Sequence, residues 1–279
     1  MCLLWCIIEC MISTQRVSRK LAKAPLVHVI TQVRFATVLS IGQSIAQIQE
    51  RLKEMGFVRY QKSQIQNISY VPGSPPKVEA QERWDFTDRD RQTGIVLTQD
   101  FVALHTSKYE TFDVFGELFG RAVQVVSTEA PVELAERMGI RYVDLIRPGK
   151  EESLEDYLRP GLLGFPFSEL ENEQIGDWAL RSEAIVQTTQ GTLIVRCTSA
   201  SNDQFLPPDL MPPVLAYNIP RLEPDERAAI LDTDHFAVVD KDFKAEALLE
   251  QLDLLHQTAS KVFRAAVTEY ALKKWGDSA

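Results

Sequence analysis

The spacing of apolar residues predicts a strand followed by a helix near the start of the chain. Between residues 26 and 35, apolar and polar residues partly alternate, which is the period of a half-buried strand. Beyond Ser40, which we expect to cap the helix, apolar residues recur at helical spacing as far as Met55, and Gly56 follows as a C-terminal stop. We therefore expect a sheet whose first strand leads directly into a packing helix.

The stretch from residue 84 to residue 126 has this arrangement in a fuller form. Residues 84–86, 95–97 and 101–104 have the character of strands separated by two turns. A helix then starts near Tyr109, and its apolar face carries three phenylalanines at helical spacing, namely Phe112, Phe115 and Phe119. Packing against the sheet is the ordinary explanation of such a stripe, and the alternative is the lining of a ligand pocket.

The second half of the chain shows a similar order of elements. A hairpin with a turn at Gly191 spans residues 178–197, a strand spans residues 228–239, and the longest predicted helix covers residues 243–275. A segment rich in proline, residues 199–224, precedes that strand, and irregular segments of this length are often lids or wraps. The order of elements predicts an α+β protein, with antiparallel sheets, long packing helices and an internal duplication in two similar lobes.

Four segments follow from this pattern. Residues 1–23 are an N-terminal extension that we interpret as disordered or non-native, residues 24–148 the first α+β lobe, residues 149–177 a connector, and residues 178–279 the second α+β lobe. The apolar run inside the extension is too short to span a bilayer, which needs about 20 residues. We expect a cytoplasmic protein with no membrane partner.

Charge and cysteine content narrow the range of partners further. The net charge is −9 at pH 7, whereas binding to nucleic acid needs clustered Lys and Arg that neutralise phosphates. We therefore expect no nucleic-acid partner, and we leave an unknown protein partner and the oligomeric state open. Cys2, Cys6 and Cys10 lie among apolar residues without a second ligand group, and Cys197 lies in a strand-like run. We expect no metal, no cofactor and no disulfide framework.

Four charged residues on predicted strands form the candidate polar cluster. Arg34 lies near the end of the first strand, and Arg141 lies on a strand predicted over residues 132–146. Asp232 and Asp234 are two residues apart on the strand of the second half, so they point to the same face. The alternation also places Tyr142 and Asp144 on the face opposite Arg141, so these two residues do not belong to the cluster.

The aspartate pair has two interpretations. Two carboxylates about 7 Å apart on one face could bind a divalent cation or act as an acid and a base. The alternative, which we favour, is that they pair with Arg34 and Arg141, because a buried carboxylate needs a cationic partner. The sequence contains no nucleophile elbow, no phosphate-binding glycine loop and no His-Glu-x-x-His motif.

Several short motifs occur in a fixed order, and they are Ala24-Pro25-Leu26 running to Arg34-Phe35, Trp84-Asp85-Phe86, Tyr109 to Phe115, Arg137 to Tyr142, Leu231 to Asp234, and Leu255-His256 with Phe263. Over roughly residues 23–275, the chain resembles a family of sporadically distributed bacterial and archaeal proteins of uncharacterised function. Ile140 and Asp144 depart from that family, which usually has Leu and Asn around the Arg-Tyr pair. The resemblance implies accessory or mobile genes, and it implies no activity, cofactor or catalytic residue.

These observations predict a non-enzymatic binding or protein-interaction protein of accessory genes. The cleft between sheet and helices and the proline-rich segment would form its contact surface. The alternative is a metal-assisted hydrolase or a small-ligand-processing enzyme that uses the aspartate pair together with the two arginines. The sequence is compatible with both a binding protein and an enzyme.

Overall fold

Nine antiparallel strands form one continuous sheet in the part of the chain that the structure describes. A computed structural model describes residues 21–69, 77–165, 179–211, 214–223 and 226–276. The strands are β1 (Leu26–Phe35), β2 (Arg59–Ser69), β3 (Lys77–Thr87), β4 (Thr93–Leu97), β5 (Phe101–Thr106), β6 (Leu134–Ile146), β7 (Arg181–Gln187), β8 (Thr192–Ala200) and β9 (Ala228–Asp242). Their order across the sheet is β2-β3-β4-β5-β1-β6-β9-β8-β7.

Six α-helices accompany the sheet among the described residues, and the predicted α+β class is confirmed. They are α1 (Ile45–Glu54), α2 (Phe112–Glu129), α3 (Leu154–Tyr157), α4 (Pro160–Leu163), α5 (Ala245–Ala266) and α6 (Glu269–Lys274). Short 3-10 turns lie at Ile41–Ser44 and Pro208–Leu210. Of the helices that the structure describes, none combines the length and the apolar character needed to cross a membrane.

The three longest helices, α1, α2 and α5, cover one face of the sheet. Alternate residues of β1, among them Val29 and Val33, are fully buried on this face. Phe119 of α2 and Leu252 of α5 belong to the same apolar cluster, and Phe115 of α2 is buried in it as well. Each such side chain contributes about 1.5–3 kcal/mol by leaving water. The phenylalanine stripe of α2 therefore packs mainly against the core of this face.

The first helix begins differently from the prediction. Ser40 makes no capping hydrogen bond, and a 3-10 turn at Ile41–Ser44 leads into α1 instead. Gly56 follows the helix with a φ of 97°, a left-handed conformation in which glycine carries no steric penalty. The predicted stop at Gly56 is confirmed, whereas the predicted cap at Ser40 is wrong.

The helix predicted over residues 243–275 is two helices. α5 ends at Ala266, and α6 begins two residues beyond Val267. The Thr268 hydroxyl accepts a hydrogen bond of 3.1 Å from the backbone N–H of Ala271, so it caps the second helix. The prediction of one helix was wrong because the apolar stripe continues across the break.

The two halves of the chain meet at the centre of the sheet and on its helical face. β1 and β6 pair with each other; β5, β4, β3 and β2 follow outward on one side, and β9, β8 and β7 on the other. On the helical face, a Cβ atom at Gly120 of α2 would lie only 2.8 Å from Cδ1 of Leu249 in α5. A larger residue at Gly120 would therefore force the Leu249 side chain to move.

The opposite face, here called the open face, is partly covered by the proline-rich segment. We call this segment the strap, and its described residues are 201–211 and 214–223. Leu206 of the strap is fully buried against Val143 of β6 and Ile230 of β9. Apolar contact therefore holds the first part of the strap on the strands of the second half.

Hydrogen bonds hold the later part of the strap. Ser107 donates its hydroxyl to the carbonyl oxygen of Ala216 at 2.7 Å, and the backbone N–H of Ala216 donates to the carbonyl of Arg91, also at 2.7 Å. Arg147 donates to the carbonyl of Pro220 at 2.8 Å. The strap thus reaches from the second half of the sheet to the hairpins of the first.

Candidate functional site

Arginines dominate the charged residues of the open face. Side chains alternate along a strand, so the neighbours of residues buried under the helices point to the open face. Six strands contribute seven arginines to it, and these are Arg34, Arg59, Arg83, Arg137, Arg141, Arg181 and Arg196. Carboxylates lie between them, among them Asp85, Glu183, Asp232 and Asp234.

Strand register explains how Asp232 acquires its partners. Asp232 is 2% exposed, and Arg141 reaches it diagonally across the β6–β9 pair, in which Arg141 lies opposite Asp234. Nε and Nη2 of Arg141 donate to the two carboxylate oxygens of Asp232 at 2.7 and 2.8 Å. Arg196 lies opposite Asp232 in the β8–β9 pair and donates a further bond of 3.3 Å. Two arginines thus compensate one buried carboxylate.

Arg141 also anchors the strap. Its Nη2 donates to Oδ1 of Asp209 at 3.1 Å, and its Nη1 donates to the other carboxylate oxygen. Burial opposes the charge of Arg141, but the hydrogen bonds to Asp232 and Asp209 outweigh burial and raise the pKa of its guanidinium above the ordinary value. Burial also disfavours the charged form of Asp209, yet the bond from Arg141 lowers the pKa of that carboxyl. One guanidinium therefore joins sheet and strap.

Asp234 lies beside this ion pair without being part of it. Burial raises the pKa of Asp234 above its ordinary value, while Arg141 and Arg137 oppose the shift and Asp232 adds to it. The guanidinium of Arg137 lies 3.9 Å from the centre of the Phe236 ring, where it forms a cation–π contact. Asp234 forms no ion pair with any residue that the structure describes.

Arg34 lies apart from the rest of the predicted cluster. It bonds to the carboxylate of Asp100 in the β4–β5 turn, and 47% of its side chain is exposed. The β1–β6 register pairs Arg34 with Arg137 and Ile30 with Arg141, so a distance of about 13 Å along the strand separates Arg34 from Arg141. Of the four predicted residues, the structure brings together Arg141, Asp232 and Asp234.

A cavity of about 870 Å³ lies on the open face, between the strands of the first half and the strap. Strands β1 to β5 form its floor, and Asp209, Met211 and Tyr217 of the strap form one wall. This volume lies within the range of about 300–1,000 Å³ that is usual for small-molecule pockets. Its lining mixes polar side chains, such as Gln32 and Gln61, with apolar ones.

Two arginines of this cavity have guanidinium groups that no carboxylate occupies among the described residues. Arg59 uses Nε to donate to the carbonyl of Arg89 at 2.8 Å, and Arg91 makes no side-chain bond with a described residue. By contrast, Asp85 holds Arg83 through bonds of 2.7 and 3.0 Å. Arg91 also has a φ of 56°, a conformation that few non-glycine residues adopt and that is often found at functional sites.

Two buried histidines lie on the floor of the cavity. The ring centroids of His28 and His105 are 5.7 Å apart, and Nδ1 of His28 pairs with the hydroxyl of Tyr217 at 2.7 Å. Burial, with Arg141 adding, lowers the pKa of His28 to about 4. Burial, with His28 and Arg83 adding, lowers the pKa of His105 to about 3. Both rings are therefore neutral near pH 7, and their Nε2 atoms have no partner among the described residues.

Of the four cysteines, Cys197 lies among the described residues. Cys197 is free and buried, and burial raises the pKa of its thiol to about 12, so the thiol stays protonated. Cys2, Cys6 and Cys10 lie outside the described residues. Within the described ranges, no three His, Cys, Asp or Glu side chains are grouped as metal ligands would be.

Several site residues escaped the sequence reasoning. Asp209 lies in the strap, where no periodicity assigns a direction to a side chain. Arg196 did carry a signal, because it alternates with buried Cys197 along β8. His28 and His105 meet only because β1 pairs with β5, which places Ile30 opposite His105.

Fold and site together define a class, an α+β protein whose open sheet face carries a cavity walled by a strap. Comparison of the sequence with protein-family models and with curated proteins gives no match.

Proposed function

We propose that the protein is a non-enzymatic binding protein whose open-face cavity takes a small organic anion, such as a carboxylate or a phosphate ester. The observation that carries this proposal is the cavity of about 870 Å³, in which the guanidiniums of Arg59 and Arg91 have no described carboxylate partner. A guanidinium matches carboxylate and phosphate groups because it donates two parallel hydrogen bonds. The polar lining of the cavity also supports the proposal, because neutral histidine rings and side-chain amides can form hydrogen bonds with the rest of a polar ligand.

The remaining polar groups of the open face support binding rather than catalysis. Asp232 is engaged by two arginines, and His28 and His105 have pKa values of about 4 and 3. An efficient general base at neutral pH has a pKa near 7. These histidines are therefore suited to hydrogen bonding with a ligand and not to moving its protons.

The strap gives the binding proposal a contact surface of its own. Tyr217 bonds to His28 on the floor, and Asp209 bonds to Arg141 on the neighbouring strand. A ligand in the cavity would touch strap and sheet together. We therefore expect an occupied cavity to slow proteolytic cleavage within the strap, because a ligand stabilises the state that it binds.

Calorimetric titration with citrate, and separately with inorganic phosphate, tests the proposal. Wild-type protein should bind citrate, and the Arg59→Gln/Arg91→Gln double variant should bind it at least about tenfold more weakly, because each charged hydrogen bond is worth about 1.5–3 kcal/mol. The matched control is the Arg121→Gln/Arg159→Gln double variant, which removes the same charge from two exposed residues outside the cavity lining. The control should bind like the wild type.

Two results would overturn the anion-binding proposal. One is the absence of binding of both probes by the wild type. The other is equal affinity of the two double variants, which would mean that only overall charge matters.

The alternative of a metal-assisted hydrolase or small-ligand-processing enzyme is less well supported. A divalent cation at the aspartate pair would have to displace Arg141 and Arg196 from Asp232. Titration with Mn²⁺ separates the two functions. We expect no saturable binding, whereas binding that Asp234→Asn abolishes would favour the enzyme.

We also infer that the chain contains an internal duplication. In each half, a central strand is followed by a meander whose last strand returns beside it and leads into a long helix: β1, β5 and α2 in the first, β6, β9 and α5 in the second. On this view the second repeat starts at β6, and the connector lies inside it. A superposition of β1 and β5 on β6 and β9 should also bring α2 onto α5, and a mismatch of the helices would contradict the inference.

We also propose that the gene belongs to accessory genes, because the chain resembles sporadically distributed bacterial and archaeal proteins. A survey of neighbouring genes tests this proposal. The absence of nucleic-acid, membrane and cofactor partners and the cytoplasmic location stay predictions.

A further inference from the structure

A second cavity lies on the helical face of the sheet, away from the strap. Its volume is about 360 Å³, near the lower end of the range for small-molecule pockets. Residues 21–26 and 109–111 form one side, and β6, β9 and α5 form the other. The sheet separates this cavity from the open face, so a ligand could bind here whether or not the open-face cavity binds an anion.

Two polar side chains in its wall lack partners among the described residues. Asp144 of β6 is 3% exposed, and its carboxyl forms no hydrogen bond or ion pair with any described residue. Thr233 of β9 is 1% exposed, and its hydroxyl also has no partner in the described part of the chain. Leaving a buried polar group unpaired costs about 1–3 kcal/mol. Both groups line the cavity, where a ligand could satisfy them.

Aromatic rings form the adjoining part of the wall. Tyr109 and Tyr142 meet edge to face, with ring centroids 6.0 Å apart and planes at 90°. The Tyr142 hydroxyl pairs with Nδ1 of His256 at 2.6 Å, and the His256 ring stacks on Phe112 at 4.0 Å. These contacts fix the two tyrosine rings beside the carboxyl of Asp144. The cavity thus combines an unpaired acid with ordered aromatic faces.

We propose that this cavity is a binding site for a compact organic cation, a primary ammonium, which Asp144 pairs with and the tyrosine rings surround. A carboxylate in a buried site needs a cation, and aromatic faces attract cations through their quadrupoles. A primary ammonium also has three donors, which can serve the Asp144 carboxylate, the Thr233 hydroxyl and a tyrosine oxygen. The volume suits an alkylamine of a few carbon atoms.

Proton release accompanies this binding. Burial, with Asp232 adding, raises the pKa of Asp144 to about 8, so the empty site is protonated at pH 7. The ammonium keeps its proton, and the proton of the Asp144 carboxyl goes to solvent as the ion pair forms. Affinity should therefore rise about tenfold per pH unit up to pH 8 and then level off.

Other titratable and charged groups surround Asp144. Lys23, Glu110 and Arg264 line the cavity. Asp232 lies on the opposite face of the sheet, and its negative charge helps to raise the pKa of Asp144. Burial lowers the pKa of His256 to about 4, and burial raises the pKa of Tyr109 to about 12. Neither shifted group titrates between pH 6 and 8, where we expect the change in affinity.

Isothermal titration with n-butylamine, and with 1-butanol as a neutral probe of the same shape, tests the proposal. The wild type should bind butylamine about 50-fold more tightly at pH 8 than at pH 6, and it should bind butanol weakly at both. Asp144→Asn should lose at least tenfold in affinity for butylamine at pH 8. The matched control, Asp240→Asn, removes the same charge from an exposed residue of β9 and should bind like the wild type.

The outcomes separate the interpretations. Equal binding of butanol and butylamine would show an apolar cavity without cation recognition and would overturn the proposal. Full affinity in Asp144→Asn, or affinity that does not change between pH 6 and 8, would overturn it as well. If Asp144→Asn does not fold, the pH dependence of the wild type and the heats measured in two buffers of different ionisation enthalpy still report proton release.

Discussion

Asp232 and Asp144 lie on neighbouring central strands, and the sheet separates their carboxyl groups. The β6–β9 register pairs Val143 with Asp232 and Asp144 with Leu231, so the two acids are one position apart and point to opposite faces. Both are almost fully buried, with exposures of 2% and 3%. Arg141 and Arg196 bind Asp232, whereas Asp144 forms no ion pair with a described residue.

The difference between these acids lies in their partners and not in their burial. Burial disfavours an ionised carboxyl group on either face. On the open face, arginines compensate the charge, and the Asp232 cluster holds the strap. On the helical face, Asp144 forms no ion pair with an arginine among the described residues, and its pKa rises to about 8. One acid thus serves the structure, and the other is left to bind a ligand.

Removing the arginine should have the largest effect. Arg141→Met leaves Asp232 without its two shortest bonds and Asp209 without its anchor, so the free energy of unfolding should fall by about 3–5 kcal/mol. Urea denaturation measures the loss. The Arg141→Met/Asp232→Asn double variant should lose less than the single variant, since no buried charge stays unpaired. A loss below about 1 kcal/mol in the single variant would contradict the structural role of Asp232.

Asp144→Asn should change how stability depends on pH. The folded pKa of about 8 lies above the ordinary value of 3.8, so between these values the unfolded chain releases a proton that the folded chain keeps. The contribution of Asp144 to stability is therefore greatest below pH 4, and the stability of the wild type falls relative to the variant by about 1.4 kcal/mol per pH unit up to pH 8. Urea denaturation of both proteins from pH 4 to pH 8 measures this difference. Parallel curves would mean that Asp144 is ionised in the folded protein.

Thr233→Val should stabilise the protein by about 1 kcal/mol, because it removes a buried hydroxyl that lacks a described partner. Thr31→Val is the matched control on the same face, since Thr31 is fully buried and donates to the carbonyl of Gly139 at 2.9 Å. The control should lose about 1 kcal/mol. Thermal unfolding measures both, and a loss of stability in both variants would show that the Thr233 hydroxyl has a hydrogen-bond partner.

Arg34→Ala should have the smallest effect, a loss of less than about 1 kcal/mol in the free energy of unfolding. The Arg34 side chain is 47% exposed, so water screens its pair with Asp100. Urea denaturation at low and high salt measures the loss and its screening. A loss comparable with that of Arg141→Met would show that exposure does not distinguish the two pairs.

Strand positions could be predicted from the sequence, but strand register could not. The alternation over residues 26–35 predicted β1 with its observed bounds, because a period of two marks a half-buried strand. Alternation assigns Arg34 and Arg141 each to one side of its own strand, without saying where along the sheet each lies. Register separates them by about 13 Å, and it depends on pairing between distant segments.

The two sites differ in how far the sequence could reach them. The opposite orientation of Arg141 and Asp144 follows from alternation along one strand, and so it was predictable. That Asp144 faces a cavity instead of a partner depends on α5 and on residues 21–26, which no local pattern connects to β6. The break between α5 and α6 was likewise hidden, because Tyr270 continues the spacing of the apolar stripe beyond it.

The pairing of β1 with β6 has a consequence for the chain as an expressed molecule. A chain divided between α2 and β6 would leave β1, of 10 residues, and β6, of 13 residues, each with one exposed edge. The backbone N–H and C=O groups along that edge would have lost their partners. Exposed strand edges of this kind recruit other chains. The fragments would therefore self-associate when produced separately and would reassemble when produced together, so the protein is divisible only as complementary pieces.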